Sequence, residues 1–196
     1  MKEKEIRASY DHDSIVVYQA YRKEIALPAV ENQQFVAPFK LERMTWIKPS
    51  FLWMMYRSGW GGKEGQEHIL KIRISKAGFE WAMENSCLSH YDEKLYASYE
   101  AWKQLMAKTP VRIQWDPEKD IHLLNLPYRS IQIGLSGIAV PKYVNEWILS
   151  IEDITDHCKV IHEMIAKGDL ETAKALMPKE DIYPVSEHLR EIIGHS

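Results

Sequence analysis

Residues 44–60 read MTWIKPSFLWMMYRSGW, a stretch that mixes aromatic rings, methionines and cations more densely than an ordinary segment of a folded chain. It holds three of the seven tryptophans, two adjacent methionines and the cations Lys48 and Arg57. A core segment would not need the cations, and a surface segment would not expose so many rings. The mixture predicts a half-buried wall, packed on one side and facing a flat, anionic ligand on the other.

The same stretch carries signals for its own local structure. Ser50 follows Pro49 and is a plausible helix N-cap. Phe51–Ser58 fits a short helix or a strand, because apolar periodicity does not decide over so few residues. The next segment is rich in glycine, at positions 59, 61, 62 and 65. It lacks Walker A spacing and is interpreted as a mobile surface loop or, through Lys63, as a lid that contacts phosphate.

The rest of the chain alternates between strand and helix patterns. Strands are predicted at Ser14–Tyr21, 69–75, 111–115 and 130–135. Helices are predicted at 24–33, 76–86, 92–108, 141–149, 154–166, from 170 onward and at 185–193, and 36–40 is expected to be extended around a proline. Strands in the middle, with helices between them and at the end, favour an α+β fold. We expect one domain over residues 1–196, with a mixed or antiparallel sheet and flanking helices.

Composition limits the classes of function. The net charge of −3 gives no general attraction to nucleic acid or to an anionic membrane, so such binding would need a local basic patch. Cys87 and Cys158 lie far apart and in no CxxC motif, which fits a reducing cytosol. The N-terminal residues show no signal peptide, and no apolar run is long enough to span a membrane. The predicted location is therefore the cytoplasm, with no membrane partner.

Three glutamines interrupt predicted strands that are otherwise apolar: Gln19, Gln114 and Gln132. A buried amide is unfavourable unless its donors and acceptors are satisfied. One such residue is usually part of a structural hydrogen-bond network, whereas three in separate strands predict a shared polar pocket.

Basic residues near these segments are candidates for phosphate contacts, because guanidinium forks match phosphate oxygens. They are Arg7, Arg43, Lys48, Arg57 and Arg129. For each of them the alternative is a salt-bridged surface residue whose apolar stem packs against the protein.

Metal coordination and covalent catalysis by serine or cysteine have weak support. Cys158 and His162 lie one helical turn apart, but Cys158 also fits the apolar stripe of its helix, and two ligands do not make a tetrahedral site. The Asp-His-Asp run at 11–13 is interpreted as a solvated turn. No GxSxG motif and no activated cysteine are present. We therefore predict no metal site.

Four stretches are long and specific: IRASYDHDSIVVYQAY (6–21), RMTWIKPSFLWMMYRSGW (43–60), QWDPEKD (114–120) and YRSIQIGLSG (128–137). Together they resemble the uncharacterised family named domain of unknown function 4291, over nearly the whole chain. The resemblance implies an arginine where this sequence has Lys119, a conservative change unless that residue makes a bidentate contact.

Residues 17–35, VYQAYRKEIALPAVENQQF, also resemble the opening strand, helix and turn of the ADP-ribosyltransferase fold. This resemblance implies that Gln19 stands where members carry His or Arg, and that Gln132 on a later strand lies near the reacting ribose. The chain departs from the pattern at Gln19, and no catalytic Glu motif follows. The carboxylate that would stabilise an oxocarbenium ion and activate the acceptor is therefore not identified.

The leading hypothesis is an ADP-ribosyltransferase-like enzyme that binds NAD or another nucleotide and acts on an unknown acceptor. The expected catalytic residues are Gln19 and Gln132. The expected cofactor-binding residues are Arg7, Trp46, Lys48, Trp53, Tyr56 and Arg57, with arginines on the phosphates and rings stacked on a base or nicotinamide.

Two alternatives remain open. A non-catalytic RNA- or nucleotide-binding module could use the same tryptophan and cation surface for stacking and phosphate contact. The aromatic stretch could also be plain core or a dimer interface. The sequence leaves the oligomeric state open.

Overall fold

A computed structural model describes residues 3–195, which form nine strands, eight α-helices and one π-helical segment. The strands are β1 (Arg7–Ala8), β2 (Ser14–Tyr21), β3 (Thr45–Ile47), β4 (His68–Ser75), β5 (Ser86–Leu88), β6 (Val111–Lys119), β7 (Asn125–Leu135), β8 (Ile148–Asp153) and β9 (Asp181–Ile182). The helices are α1 (Lys23–Asn32), α2 (Phe51–Ser58), α3 (Lys76–Glu84), α4 (Tyr99–Lys108), α5 (Ala139–Lys142), α6 (Thr155–Ala166), α7 (Leu170–Leu176) and α8 (Glu187–Ile192). The π-helical segment, Tyr143–Trp147, directly follows α5.

The strands form three sheets. The largest has the order β3-β7-β6-β5, in which β5 runs parallel to β6 and the other pairs are antiparallel. The second is antiparallel with the order β2-β4-β8. The short strands β1 and β9 form an antiparallel pair. The predicted α+β class, with mixed or antiparallel sheets and flanking helices, is confirmed.

The two larger sheets meet where β2 passes the end of β3. The backbone N–H of Tyr18 donates to the carbonyl oxygen of Lys48 at 2.7 Å, and the two residues form an isolated antiparallel bridge. The side chain of Gln19 reaches across the same junction and donates to the hydroxyl of Thr45 at 2.6 Å. Since α2 begins shortly after Lys48, this junction fixes the positions of both β3 and α2.

Alternation along the strands explains the main core. On β4, the side chains of Leu70, Ile72 and Ile74 are all 0% exposed, whereas Lys71 and Arg73 lie on the other face and are more exposed. This is the half-buried strand that the sequence predicted. Its buried face joins apolar residues of β2, β6, β7, α1 and α3 in one cluster.

A second core cluster packs α2 against β2 and α6. Phe51, Met54 and Met55 on α2 are buried in it, whereas Tyr56 and Arg57 are exposed. One face of α2 is therefore core and the other faces solvent, as expected of a half-buried wall. Ser50 is its N-cap, as predicted, and the Ser50 Oγ accepts a hydrogen bond from the N–H of Trp53 at 3.1 Å.

The helix predicted at 92–108 begins only at Tyr99. The Asp92 carboxylate instead accepts a backbone N–H in a turn, and Ser98 caps the helix by accepting a backbone N–H at 3.1 Å. Trp102 is buried, but most of the apolar residues expected on its face are exposed. The capping side chain therefore sets the start of α4 more strongly than the apolar spacing did.

The structure also differs from the prediction at two other segments, 141–149 and 36–40. The helix expected at 141–149 starts at Ala139, and the chain then leaves it through the π-helical segment to enter β8, an edge strand that was not predicted. Segment 36–40 is a turn rather than extended, because the N–H of Phe39 donates to the carbonyl of Val36 at 2.9 Å. Phe39 stacks on Phe35, with ring centroids 4.5 Å apart, and this contact packs the turn against the segment that follows α1.

Among residues 3–195, none of the helices has the length and apolar character needed to cross a membrane. Cys87 and Cys158 are both buried and both free thiols. The Cys158 side chain lies in the core cluster beneath α2, which agrees with its predicted place in an apolar helix stripe.

Candidate functional site

A cleft of about 1030 Å³ brings together most of the residues selected from the sequence. Its floor is formed by β3, β6 and β7, one wall is α2, and the loop between α1 and β3 closes another side. Gln19, Gln114 and Gln132 all line it, and we call it the glutamine cleft. It is also lined by Trp46, Lys48, Trp53, Tyr56 and Arg57.

The register of the floor explains why residues from different strands share one face. Gln114 on β6 lies opposite Gln132 on β7, and Trp46 on β3 lies opposite Gly134 on β7. Paired residues of antiparallel strands project to the same side of a sheet. Residues between them, such as Ile113, project into the core instead. The Trp46 ring covers Gly134 so closely that a Cβ atom there would lie 2.9 Å from Cζ2 of Trp46.

Two residues that line the glutamine cleft each have a buried polar atom without a hydrogen-bond partner within residues 3–195. The atoms are Oε1 of Gln132, a residue that is 2% exposed, and Nε1 of Trp53, a residue that is 9% exposed. The amide nitrogen of Gln132 makes only a long contact, 3.4 Å, to the hydroxyl of Ser130. Buried polar atoms are usually satisfied, so an unpaired acceptor and an unpaired donor in one cleft suit a ligand with the complementary pair.

The side-chain amide of Gln19 makes more hydrogen bonds to protein groups than those of Gln114 and Gln132. Its Nε2 donates to Thr45 Oγ1 at 2.6 Å and lies within hydrogen-bond distance of Tyr21 Oη, at 3.0 Å, and the Trp46 carbonyl, at 3.2 Å. Its Oε1 accepts from the Tyr143 hydroxyl at 2.7 Å. All polar atoms of this amide are occupied by protein groups, so Gln19 shapes the corner of the cleft between β2 and β3.

Lys48 reaches the glutamine cleft from the end of β3. It is 8% exposed, and its Nζ donates to the carbonyl of Trp46 at 3.0 Å and lies 6.0 Å from the centroid of the Trp53 ring. Burial and, to a smaller extent, the positive charge of Arg57 together lower the pKa of Lys48 to about 7, while the negative charge of Asp116 opposes the shift. A lysine in a cleft with a pKa near 7 is a candidate nucleophile or general base, in addition to being a possible contact for an anion.

The charge of the glutamine cleft is predominantly positive. Its basic lining residues are Arg22, Lys40, Arg43, Lys48 and Arg57, whereas Asp116 is the only acidic lining residue in the described part of the chain. Arg43 and Arg57 are exposed, and neither takes part in a salt bridge within residues 3–195. Their guanidinium groups are therefore open to an anionic ligand.

Tyr56 stands at the outer edge of α2 between two lysines. It is 43% exposed, with Nζ of Lys119 3.5 Å and Nζ of Lys63 5.7 Å from its ring centroid. Lys119 also donates to Asn125 at 2.6 Å. The position where the family resemblance implies arginine thus places a cation over an aromatic ring, a contact that lysine and arginine can both make.

Two carboxyl groups, that of the buried Glu118 and that of the half-buried Glu180, anchor the N-terminus of α2. Glu118 Oε1 accepts from the Ser50 hydroxyl at 2.9 Å, and Glu180 Oε1 accepts from the N–H of Phe51 at 2.7 Å. Burial raises the pKa of both groups, to about 8 for Glu180. These acceptors complement the positive end of the helix and hold the wall of the cleft.

Arg7 is not brought to the glutamine cleft. It lies on β1, where its Nε is 2.8 Å from the Glu5 carboxylate and its guanidinium carbon is 5.4 Å from the centroid of the Tyr128 ring. β1 pairs with β9 and not with β3 or β7, and this pairing directs Arg7 elsewhere. A phosphate contact in the cleft therefore falls to Arg43 and Arg57.

Asp116 is the acidic lining residue that sequence reasoning missed, as it also missed the basic residues Arg22 and Lys40. It lies two positions after Gln114, so strand alternation places both on the cleft face, where Nε2 of Gln114 donates to Asp116 Oδ1 at 3.1 Å. The signal was present, but the strand was expected to end at Trp115. Extending the alternation by one more residue would have found the carboxylate.

A second cavity, of about 800 Å³, is lined mainly by β4, β8 and the start of α6. His68 Nδ1 lies 2.7 Å from Asp153 Oδ2 there, and the Tyr18 hydroxyl has no hydrogen-bond partner within residues 3–195. None of the site residues expected from the sequence lines this cavity. In the same range, no three His, Cys, Asp or Glu side chains are grouped so that they could hold a metal ion.

Comparison with protein families gives one match. The model described as "Domain of unknown function (DUF4291)" matches residues 5–183, which confirms the resemblance carried by the four sequence stretches. No curated protein matches the chain.

Proposed function

The chain belongs to the DUF4291 family, and from the geometry of its glutamine cleft we propose that it is a nucleotide-binding enzyme, which cleaves NAD and transfers the ADP-ribosyl group. The observation that carries this proposal is the convergence of amides, tryptophan rings and free arginines in one cleft. Flat rings, amide groups and phosphates are the three parts of a dinucleotide that such a lining complements.

The two unpaired buried atoms support the recognition of a carboxamide. Nicotinamide carries a carbonyl oxygen, which would accept from Nε1 of Trp53, and an NH₂ group, which would donate to Oε1 of Gln132. The Trp46 ring supplies a flat surface beside them over Gly134. Satisfying both buried atoms at once would give this ligand an advantage over one that satisfies neither.

The remaining lining residues supply charge. Arg43 and Arg57 would contact the two phosphates of the dinucleotide. Asp116 would place its carboxylate near ribose C1, where positive charge develops as the bond to the nicotinamide nitrogen breaks and neutral nicotinamide leaves. Gln19, whose amide is fully bonded, would act as a positioning residue for β3 and not as a direct contact.

The first test is a titration of the purified chain with NAD, ATP and a short single-stranded RNA, followed by tryptophan fluorescence, with nicotinamide assayed in the same samples. The proposal expects a saturable response to NAD with release of nicotinamide. Absence of both would reject it.

Arg57→Ala tests the phosphate contact. We expect NAD affinity to fall by about tenfold, as for the loss of a charge-assisted hydrogen bond, with no loss of thermal stability. Arg190→Ala on α8 is the matched control, because Arg190 is also exposed and does not line the cleft. Equal affinity of both variants, measured by calorimetry, would remove Arg57 from the site.

A second candidate, a non-catalytic RNA-binding module, is favoured by the exposed Tyr56 ring with Lys63 and Lys119 on it. Such a surface can stack a base and contact several phosphates. Its affinity would fall steeply with salt, because many counterions are released. A response to RNA alone, steep in salt and without nicotinamide release, would favour this candidate.

We also propose a cytoplasmic location. The support is that both cysteines, Cys87 and Cys158, are free thiols and not a disulfide, which is typical of a reducing compartment. Fluorescence microscopy of the tagged chain in its own cells would test this assignment.

A further inference from the structure

We infer that the ε-amine of Lys48 is a covalent nucleophile, which forms an imine with the aldehyde carbon of a phosphorylated sugar bound in the glutamine cleft. Open-chain ADP-ribose is one such aldehyde, so the choice of sugar rests on the proposed function. The reactivity of the lysine does not rest on it, because that follows from the surroundings of Lys48 itself.

The position of Lys48 separates it from the surface lysines. Lys48 lines the cleft although the residue is only 8% exposed, and it makes no salt bridge within residues 3–195. The hydrogen bond found for Nζ is a donation to the Trp46 carbonyl at 3.0 Å. A neutral amine can make that donation and still present its lone pair to the cleft.

The polar residues around Lys48 in the cleft come from several elements. Arg57 on α2 and Asp116 on β6 are the charged residues that shift the pKa of Lys48, and Gln132 on β7 and Gln19 on β2 line the same cleft. Of these four residues only Asp116 is negative. Burial and the charge of Arg57 favour the neutral amine, and they lower the pKa of Lys48 to about 7. About half of the Lys48 side chains are then unprotonated at neutral pH, whereas an ordinary exposed lysine is almost entirely protonated.

Lys119 shows the contrasting case of a buried lysine with partners that suit an ammonium ion. It is 7% exposed, but its Nζ lies 3.5 Å from the centroid of the Tyr56 ring and donates to Asn125 at 2.6 Å. The aromatic face attracts a cation, and the amide oxygen accepts from it. The corresponding contacts of Lys48 are longer, 3.0 Å to the Trp46 carbonyl and 6.0 Å to the centroid of the Trp53 ring, so its surroundings stabilise an ammonium ion less than those of Lys119.

The covalent step is balanced without any further reagent. The lone pair of Nζ forms a bond to the aldehyde carbon, and the carbonyl electron pair moves to oxygen, which takes a proton. The carbon–oxygen bond then breaks as water leaves, the two protons of the neutral amine are transferred in total to this oxygen, and the nitrogen lone pair forms the C=N bond. Uptake of one proton from solvent gives the protonated imine. Hydrolysis reverses each step, so the adduct can be released.

The lining of the cleft indicates which aldehydes would fit. Arg43 and Arg57 provide two guanidinium groups for phosphate, and Oε1 of Gln132 is an unpaired acceptor for a sugar hydroxyl. A neutral, unphosphorylated aldehyde would lack the ionic contacts. We therefore expect reaction with phosphorylated sugars in preference to simple aldehydes of similar size.

The test is reductive trapping on the full chain. The protein is incubated separately with ADP-ribose, ribose 5-phosphate, unphosphorylated ribose and, as a flat phosphorylated probe, pyridoxal 5′-phosphate. Cyanoborohydride then reduces any imine to a stable amine, and mass spectrometry of the digest maps the modified lysines. We expect Lys48 to react at least about tenfold faster at pH 7 than the exposed Lys103 of α4, because more of it is neutral.

The pH profile and two variants complete the experiment. Labelling of Lys48 should rise through neutral pH. Lys48→Arg keeps a cation but cannot form the imine and should lose the labelled peptide, whereas Lys103→Arg should leave labelling of Lys48 unchanged. If Lys48→Arg folds poorly, the mass-spectrometric map of labelled lysines in the unmodified chain still shows whether Lys48 is labelled in preference to Lys103.

The outcomes separate this inference from the proposed function. Labelling spread over exposed lysines, with no preference for Lys48, would overturn the inference even if NAD binds and nicotinamide is released. Preferential labelling of Lys48 by the sugar phosphates, without any response to NAD, would support the inference and reject the NAD reaction. Labelling by pyridoxal 5′-phosphate alone would overturn the assignment to sugars.

Discussion

Gln132 is 2% exposed, yet its amide oxygen has no hydrogen-bond partner within residues 3–195. An unpaired buried acceptor destabilises the folded state, because it loses its contacts with water. Stability alone would favour an apolar residue at this position. A destabilising amide at this position is expected if residue 132 is selected for ligand binding and not for stability.

Gln132→Leu should therefore separate binding from stability. We expect the free energy of unfolding to stay the same or to rise by up to about 1 kcal/mol, since the unpaired oxygen is removed. Affinity for NAD should fall by about tenfold, as for the loss of one hydrogen bond to the ligand. Chemical denaturation and calorimetry measure the two quantities.

Gln104→Leu on the exposed side of α4 is the control and should change neither quantity. A drop in stability of Gln132→Leu by several kcal/mol would contradict the argument. It would mean that the amide is paired in solution, for example by a tightly held water.

For single residues, the sequence predicts which residues line the cleft better than it predicts their hydrogen-bond partners. Gln19, Gln114 and Gln132 could be selected because each interrupts an apolar strand, and all three line one cleft. Sequence could not show that Gln19 is fully bonded while Gln132 is not, because that depends on Tyr143, which is remote in the chain. Arg7 was grouped with the site by residue type alone, and pairing of β1 with β9 places it elsewhere.

Among the secondary-structure elements, α2 begins at an N-cap, Ser50, whose hydroxyl both accepts and donates a hydrogen bond. The Ser50 hydroxyl accepts from the N–H of Trp53 and donates to the Glu118 carboxylate. Ser50→Ala removes both interactions. We expect a loss of about 1 kcal/mol for the cap and about 1–3 kcal/mol more for the buried carboxyl left with fewer donors.

Ser98→Ala is the matched control for that prediction. Ser98 caps α4 in the same way, with its Oγ accepting a backbone N–H at 3.1 Å, but the structure gives that hydroxyl no buried carboxylate partner in the described residues. It should lose only about 1 kcal/mol in thermal or chemical unfolding. Equal losses for both variants would show that Glu118 contributes nothing to the cap.

Gly134 is the point where β7 makes room for the Trp46 ring. A Cβ atom at this position would lie 2.9 Å from Trp46 Cζ2, so Gly134→Ala must displace the indole. We expect a destabilisation of about 1–3 kcal/mol and weaker NAD binding, because the flat surface of the floor is disturbed. Unfolding experiments and fluorescence titration would measure both effects.

The double variant Gly134→Ala with Trp46→Leu tests the cause. A smaller side chain at 46 leaves space for the new methyl group, so the stability lost through Gly134→Ala should be partly recovered. Binding should stay weak, because the ring itself is gone. No recovery of stability would indicate strain in the β7 backbone and not a clash with Trp46.

Elements with their own local signals were predicted best. β2 was predicted with its observed bounds, and the N-cap at Ser50 fixed the start of α2. β8 was missed because its strand character comes from pairing with β4, where Ile151 lies opposite Ile72, and the preceding proline suggested a helix. Long-range pairing of this kind leaves little trace in a short segment.

For the molecule as a whole, Glu180 and Lys48 make the free energy of unfolding depend on pH in opposite directions. The raised pKa of Glu180, about 8, means that the folded chain keeps a proton that the unfolded chain releases above the ordinary pKa of 4.5. The free energy of unfolding should therefore fall as pH rises from about 4.5 to about 8, by up to about 1.4 kcal/mol per pH unit.

Glu180→Gln should make this decline shallower, because its amide oxygen can still accept from Phe51 and it does not ionise. The part of the decline that comes from Glu118, whose pKa burial also raises, should remain. Denaturation at a series of pH values would measure the effect. The exposed Glu171→Gln on α7 is the control and should follow the unmodified chain. An unchanged slope in Glu180→Gln would place the titrating group elsewhere.

Lys48 has the opposite effect on the free energy of unfolding, at higher pH than Glu180. Its pKa is lowered from 10.5 to about 7, so between these values the unfolded chain holds a proton that the folded chain lacks. The free energy of unfolding should rise with pH across that window, and Lys48→Met should abolish the rise. Lys103→Met serves as the control. A rise that persists in Lys48→Met would refute the lowered pKa.

The junction between the two larger sheets has a consequence for the rate at which ligands react. The backbone of Lys48 is fixed by Tyr18 on the neighbouring sheet, and its Nζ is already held by the Trp46 carbonyl. Ordering a free lysine side chain lowers its conformational entropy, at a cost of about 2 kcal/mol. Here that loss occurs during folding and not when the ligand arrives, so the amine is preorganised and an incoming aldehyde meets it in a single orientation.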